Sequence, residues 1–413
     1  MNPRFLSLFF WLGLFLLLVP GLVHAYLLMP FPGSQDLEVI SEVYYLEKAI
    51  LPLRIIGILL LLWPLARTIL RGSWRERLVR GTALALTLGL FYFTDWEYKA
   101  ERMFEEPQLI RFANASDNRL PDSLLVIGLV KGNVAKAYPV NYLGYHHKVQ
   151  DSVGTQPVLV TYCTMCRTGR VFSPVINGKA QTFRLVGARH YNAVIEDRDT
   201  RTWWYQATGE AAAGPMAGRQ LTELSYQQVS LRSWLEKYPH SLVLQPDTHY
   251  QEDYDELKRY DRRQPIDKDS TLRADTLIRK SWVVGIAVGK QAKAYDWKQL
   301  EKVRVVNDEV NATPVLIALE NDSLSFHAWK RTLNGRSYSF TPDSLGRGVR
   351  DLETQSLWNW KGACIEGPRT GDWLERIQAH QEYWHSWQRF HSPTTLWRGD
   401  LRLVQQQKDY LTN

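Results

Sequence analysis

Cys163 and Cys166 bracket the run Cys163-Thr164-Met165-Cys166. That spacing brings two thiols close enough to close a disulfide or to grip one soft metal ion such as copper. Arg167 and Arg170 follow at once and are expected to favour thiolate over thiol, which serves nucleophilic exchange and metal ligation alike. Met165 adds a thioether, a soft donor that suits Cu(I). Of the nearby imidazoles, His146, His147 and His190, the last is the best third ligand, because it lies in a stretch, 186–196, that also holds Asn192 and is longer than its counterpart later in the chain. The candidate metal ligands are therefore Cys163, Cys166 and His190. A structural zinc site wants four ligands, and the sequence has no second Cys-x-x-Cys to complete one. A thioredoxin-like pair would open a helix, whereas here Gly169 and an apolar run, Val171 to Ile176, predict a strand. The pair is expected in a turn joining two strands. A simple staple in an oxidising compartment is the alternative use. Cys364 is the odd thiol. Carboxylates at Glu196, Asp197, Asp199 and Glu210 surround Trp203-Trp204 and form a weaker acid/base candidate; nucleophile-elbow, phosphate-loop and His-Glu-x-x-His motifs are missing.

The elements that must hold these residues come from an internal repeat. Sliding the chain against itself by 157 positions puts Gly128 on Gly285, Ala135-Lys136-Ala137-Tyr138 on Ala292-Lys293-Ala294-Tyr295, and Asn177-Gly178 on Asn334-Gly335. After a three-residue deletion, Asp197, Thr200 and Trp204 meet Asp351, Thr354 and Trp358, and Gly214-Pro215 meets Gly367-Pro368. Residues common to both copies read as scaffold. The sharpest difference is the cysteine run, which becomes Glu320-Asn321-Asp322-Ser323 in the second copy. Each copy is predicted to be mainly β: strands at 123–130, 134–139 and 158–162, and a hairpin about Asn177-Gly178. Helix is expected at 231–238. Residues 250–280, dense in charges of both signs, read as an exposed connector.

Pro157 through Cys166, Asn177-Gly178, Asp197 through Gln206, and Gly209, Gly214 and Gly218 together resemble the bacterial and archaeal family known as domain of unknown function thirty-one seventy-nine. The resemblance is good over 124–255 and weaker elsewhere. It implies that Cys163 and Cys166 match the family's cysteine pair, with Thr164 where the family often carries proline. Asp197, Thr200, Trp204 and Gln206 join the candidate set on these grounds, with Met165, Arg167 and Asn192 as further candidates. The resemblance brings no activity with it.

The first 95 residues have another character. Segments near 5–29, 49–70 and 78–94 are apolar enough to be read as three transmembrane helices, each about 20 residues. Arg67, Arg71, Arg75, Arg77 and Arg80 cluster between the second and third, so the net charge of +7 belongs to membrane topology rather than to a nucleic-acid partner. Counting Lys and Arg places that loop in the cytoplasm and everything beyond Asp95 on the periplasmic side of the cell membrane. Val23-His24-Ala25 also resembles a signal-peptidase site, but the apolar run continues to Phe31, which favours an uncleaved anchor.

The expected protein is thus a mostly β (β-rich α+β), internally duplicated soluble domain behind a bundle of three helices. Its divisions are an anchor (1–95), a first repeat (96–249), the connector (250–280) and a degenerate second repeat (281–413). Two functions are expected to compete. In one the cysteines bind a soft metal or exchange disulfides. In the other they are a staple in a binding or assembly module of the cell envelope, whose tryptophans (Trp203, Trp204, Trp358, Trp360) meet a partner.

Overall fold

The structure, a computed structural model, describes residues 3–258, 260 and 277–399; most of the charged connector lies outside them. The chain forms two compact units, Met1–Glu106 with Ile176–Leu221, and Pro107–Val175 with Thr222–Asn413.

In the first unit, α1 (Pro3–Leu28) and α2 (Ile40–Arg71) pack through Phe10, Leu14 and Leu61. Gly13 permits the approach, since a Cβ there would sit 2.8 Å from the Gly57 carbonyl oxygen. Ser73 and Glu76 form a capping box that starts α3 (Trp74–Tyr92). A short α4 (Ala100–Met103) follows. Among the described residues two helices, not the three expected, are long and apolar enough to cross a membrane: Arg4–Leu28 and Ile40–Arg71. The third segment is helical, but its first two turns hold Arg75, Glu76, Arg77 and Arg80, which dilute its hydropathy. At the other end of α3, Asp95 receives both Nη atoms of Arg54 at 2.7 and 2.6 Å, and Arg54 Nε donates to Leu17 O, so one guanidinium ties three helices together.

The strands of the first half run β1 (Phe112–Asn114), β2 (Leu125–Lys131), β3 (Val134–Pro139), α5 (Val140–His146), β4 (Lys148–Val153), β5 (Gln156–Cys163), β6 (Thr168–Phe172), β7 (Val175–Ile176) and β8 (Lys179–Ala180). They continue as β9 (Phe183–Arg189), β10 (Asn192–Asp197), β11 (Trp203–Tyr205), β12 (Ala211–Ala213), β13 (Gln227–Ser230), α6 (Leu231–Lys237) and β14 (Leu242–Leu244), with α7 (Gln251–Glu256) beyond. The second half runs β15 (Trp282–Val288), β16 (Gln291–Asp296), α8 (Trp297–Val303), β17 (Val305–Val310), β18 (Thr313–Leu319), β19 (Phe326–Lys330), β20 (Thr332–Leu333) and β21 (Arg336–Ser337). It ends with β22 (Phe340–Pro342), β23 (Gly348–Asp351), β24 (Leu357–Asn359), β25 (Cys364–Glu366), β26 (His380–Tyr383), α9 (Trp384–Phe390) and β27 (Thr394–Leu396).

The pairings recur in the same order. Sheet β14-β3-β2-β13, with β1 added at its edge, corresponds to β27-β16-β15-β26; β4-β5-β6 corresponds to β17-β18-β19, and β9 to β12 to β22 to β25. Both halves close with a parallel pair, β14 on β3 and β27 on β16. Details repeat as well. A Cβ on Gly128 would lie 2.3 Å from the Trp234 ring, and one on Gly285 2.3 Å from the Trp387 ring. Asn177-Gly178 and Asn334-Gly335 both take positive φ at both residues, the two-residue hairpin that the sequence predicted.

Within the second unit each half builds its own apolar core, one about Ile127, Tyr138, Val160 and Tyr162, the other about Ile286, Tyr295, Ile317 and Leu319. The halves also interlock. The β5-β6 hairpin meets β26 and α9, where Tyr383 N donates to Cys166 O at 2.8 Å; reciprocally, β19 meets β13, where Ser230 N donates to Ser325 Oγ at 2.9 Å.

Candidate functional site

β5 ends on Cys163 and β6 begins on Thr168, with those two residues paired across the ladder, so Cys163 closes the strand and Cys166 lies in the four-residue hairpin turn that follows, a turn between two strands as expected. Arg167 takes φ +54° to close it. Neither cysteine is in a disulfide and both are fully buried. The disulfide staple is therefore not the state seen. Cys166 Sγ donates to Cys163 O at 3.8 Å. Burial pushes the Cys166 thiol well up, and contact with the Cys163 side chain adds to it.

That corrects the expectation that the neighbouring arginines favour thiolate. Arg170 Nη2 donates to Glu382 Oε1 at 2.7 Å, and its Nε lies 3.7 Å from Glu223. Arg167 lies with Cζ 3.6 Å from the Trp282 ring centre and donates to Tyr260 O at 3.3 Å. Burial of the Cys166 sulfur dominates, and the thiol keeps its proton.

The turn is enclosed from several directions. Tyr260 OH donates to Thr164 O at 2.7 Å. Gly144 of α5 approaches so closely that a Cβ would be 3.0 Å from Thr164 Cγ2. Thr168 Oγ1 donates to Glu382 Oε2 at 3.2 Å, as Ser386 Oγ does at 2.7 Å. Beyond Arg170, Tyr226 OH lies 2.9 Å from His380 Nδ1, and His391 Nε2 lies 3.4 Å from Arg170 Nη2. Burial lowers the pKa of both imidazoles, so they are neutral at pH 7. Met165 is partly exposed.

Glu320, the counterpart of Cys163, has its own polar cluster. Its Oε1 lies 2.5 Å from His327 Nε2, accepts from Lys237 Nζ at 3.1 Å and accepts from Ser233 Oγ.

His190 has a different role from the one expected. Its Nδ1 lies 2.9 Å from Gln35 O, while Arg189 donates to the carbonyls of Leu27 and Ser34 at 2.8 and 2.7 Å and to that of Leu37. The stretch 186–196 therefore grips the loop between α1 and α2. Among the described residues no group of three or more His, Cys, Asp and Glu is placed to hold a metal ion.

The remaining candidates hydrogen-bond to one another and to nearby backbone. Asn192 Nδ2 donates to Gln206 Oε1 at 2.9 Å and Asn192 Oδ1 accepts from Ala207 N at 3.0 Å. Asp197 accepts from Thr200 N, Thr200 Oγ1 and Trp204 Nε1, and Asp351 accepts from Thr354 and Trp358 in the same way. Glu196 is tied to Arg184 and Trp203. Trp203, Trp204 and Trp358 are buried and Trp360 is partly exposed, so three of the four tryptophans expected at a surface are not at one.

Sequence reasoning missed Glu382, Glu223, Ser386 and Tyr260. Extending the repeat past Gly214 and Gly367 sets Val229 against Glu382, a difference of the same kind that singled out the cysteines.

The family described as Protein of unknown function (DUF3179) matches residues 104–395. The chain belongs to that family. The match takes in both halves, so the cysteine turn and the Glu382 that closes it from the other half lie within one family domain. No curated protein and no solved structure matched the chain.

Proposed function

We propose that this DUF3179 protein is a membrane-anchored, extracytoplasmic dithiol protein in which Cys163 and Cys166 hold one soft cation, Cu(I). The carrying observation is a pair of adjacent buried thiols in one hairpin turn. Two thiolates suffice for Cu(I), which is soft and accepts low coordination, while zinc would need ligands that the turn does not bring. Binding must displace the thiol protons, so uptake weakens as pH falls. The matching Glu320 and Ser323 are taken as the mark of a duplication in which one copy kept the thiols.

The test is titration of the reduced full-length protein in detergent with Cu(I) against a chromophoric chelator. About one ion per chain is expected, lost in the Cys163→Ser/Cys166→Ser variant while its fold persists. Equal uptake by both proteins would overturn the reading. Disulfide exchange is the second reading, favoured by the contact between the two thiol side chains. A mixed disulfide trapped on the Cys166→Ser variant, with no copper uptake by the parent, would select it.

The extracytoplasmic side rests on α3. Arg80 Nη1 donates to Thr68 Oγ1 near the start of α3 and Asp95 meets Arg54 beyond its end, so α3 runs back along α2 for about 25 Å. A helix that retraces a spanning helix over that length crosses with it. A reporter active only in the cytoplasm should work when inserted at Ser73 and fail at the C-terminus. Activity at both places would put the thiols in the cytoplasm.

A further inference from the structure

The turn between α2 and α3 carries charge that no carboxylate among the described residues pairs with. Among the described residues none of Arg67, Arg71, Arg75, Arg77 and Arg80 lies within ion-pair distance of a carboxylate, whereas Arg54, Arg170 and Arg184 all do. The acid in the stretch, Glu76, is committed to the helix cap, where Oε2 accepts from Ser73 N at 3.1 Å. Arg77 and Arg80 donate to the Thr68 carbonyl and hydroxyl, neutral groups that fix their direction but leave their charge. Arg71 and Arg75 are exposed, and Arg75 Cζ lies 5.5 Å from the centre of the Trp74 ring. Around them stand apolar side chains without cover: Ile69 is 68% exposed, Leu70 76% and Trp74 69%.

Cations alternating with exposed apolar side chains, at the end of a helix able to cross a bilayer, match the boundary between headgroups and acyl chains. We propose that this turn is a binding site for anionic phospholipid headgroups. Arg67, Arg71 and Arg75 pair with the phosphodiester and its net negative charge. Trp74 and Leu70 enter the adjoining apolar layer. A zwitterionic headgroup carries a phosphate but no net charge, so the attraction is specific to anionic lipid. The inference rests on the anchoring reading above, though not on which side the soluble part faces.

The experiment uses the full chain in nanodiscs of phosphatidylcholine with a minor share of phosphatidylglycerol, and counts the lipids retained on gentle release by native mass spectrometry. Phosphatidylglycerol should be enriched over its bulk share, and Arg67→Gln/Arg71→Gln/Arg75→Gln should reduce that enrichment by about tenfold or more. The Lys triple variant, which keeps the charge, should retain it, and added salt should weaken it. Equal retention of both lipids by the parent protein, or unchanged enrichment in the Gln variant, overturns the site. Alkaline extraction from pure phosphatidylcholine vesicles tests anchoring separately: a protein that stays in the pellet yet shows no lipid preference refutes only the headgroup site, and one released to the supernatant refutes both.

Discussion

Arg170 and Glu382 stand 212 residues apart in the chain and form an ion pair at 2.7 Å, with side chains 1% and 0% exposed. One comes from the strand that follows the cysteine turn, the other from the last strand pair of the second half. The pair bolts together the two halves of the second unit at the point where the thiols are enclosed.

Removing one member of such a pair leaves a buried charge without its closest partner. Arg170→Met or Glu382→Gln should therefore lower the unfolding free energy by about 3–5 kcal/mol. Arg170→Met/Glu382→Leu should cost less than the sum of its single changes. Denaturant unfolding of the three variants in detergent checks this; additive losses would mean that the two groups do not interact.

Acidification should weaken the Glu320 cluster in a defined window. Burial holds His327 neutral, its pKa lowered from 6.5 to about 3, so between those values the unfolded chain binds more protons than the folded one and stability falls with pH. Burial alone would raise Glu320, but His327 and Lys237 outweigh it and bring it from 4.5 to about 2, extending the loss to lower pH. The decline from pH 6.5 to pH 3 should be on the order of 3 kcal/mol. Glu320→Gln/His327→Gln should flatten that slope in thermal melts run across the range.

Gly128 and Gly285 should be equally intolerant of alanine. Neither residue needs positive φ; each is required because a tryptophan ring occupies the place of the Cβ. A contact of 2.3 Å cannot be relieved without moving an indole that is itself fully buried. Gly128→Ala and Gly285→Ala should each cost at least about 3 kcal/mol, and paired replacement with a smaller partner at Trp234 or Trp387 should recover part of it.

Arg189 should fasten the loop between α1 and α2. Arg189→Met should raise the rate of proteolytic cleavage between Phe31 and Leu37 by about tenfold or more, while Cu(I) uptake stays that of the parent. Unchanged cleavage would mean that the carbonyl contacts of Arg189 are dispensable.

Local and periodic features were legible in the sequence because their causes are local. The Asn-Gly turns follow from positive φ at two adjacent residues, the shared glycines from close approach, α6 from its apolar spacing, and the cysteine turn from the Gly169 strand beside it. The family was legible too, since it rests on motifs that lie within one half. The chemical state of those motifs was decided elsewhere. Arg167 and Arg170 sit next to the cysteines in sequence, yet Trp282, Tyr260 and Glu382 take up their interactions, and burial decides that the Cys166 thiol keeps its proton. His190 and Trp203 read as candidates for a metal and a partner because exposure cannot be read from residue type. In the fold, His190 holds a loop and Trp203 lies in a core with Tyr44, Leu28 and Val43. Residue identity and spacing fix which groups can ionise or ligate. Desolvation and partner choice depend on contacts made across hundreds of residues, and only the tertiary structure supplies them.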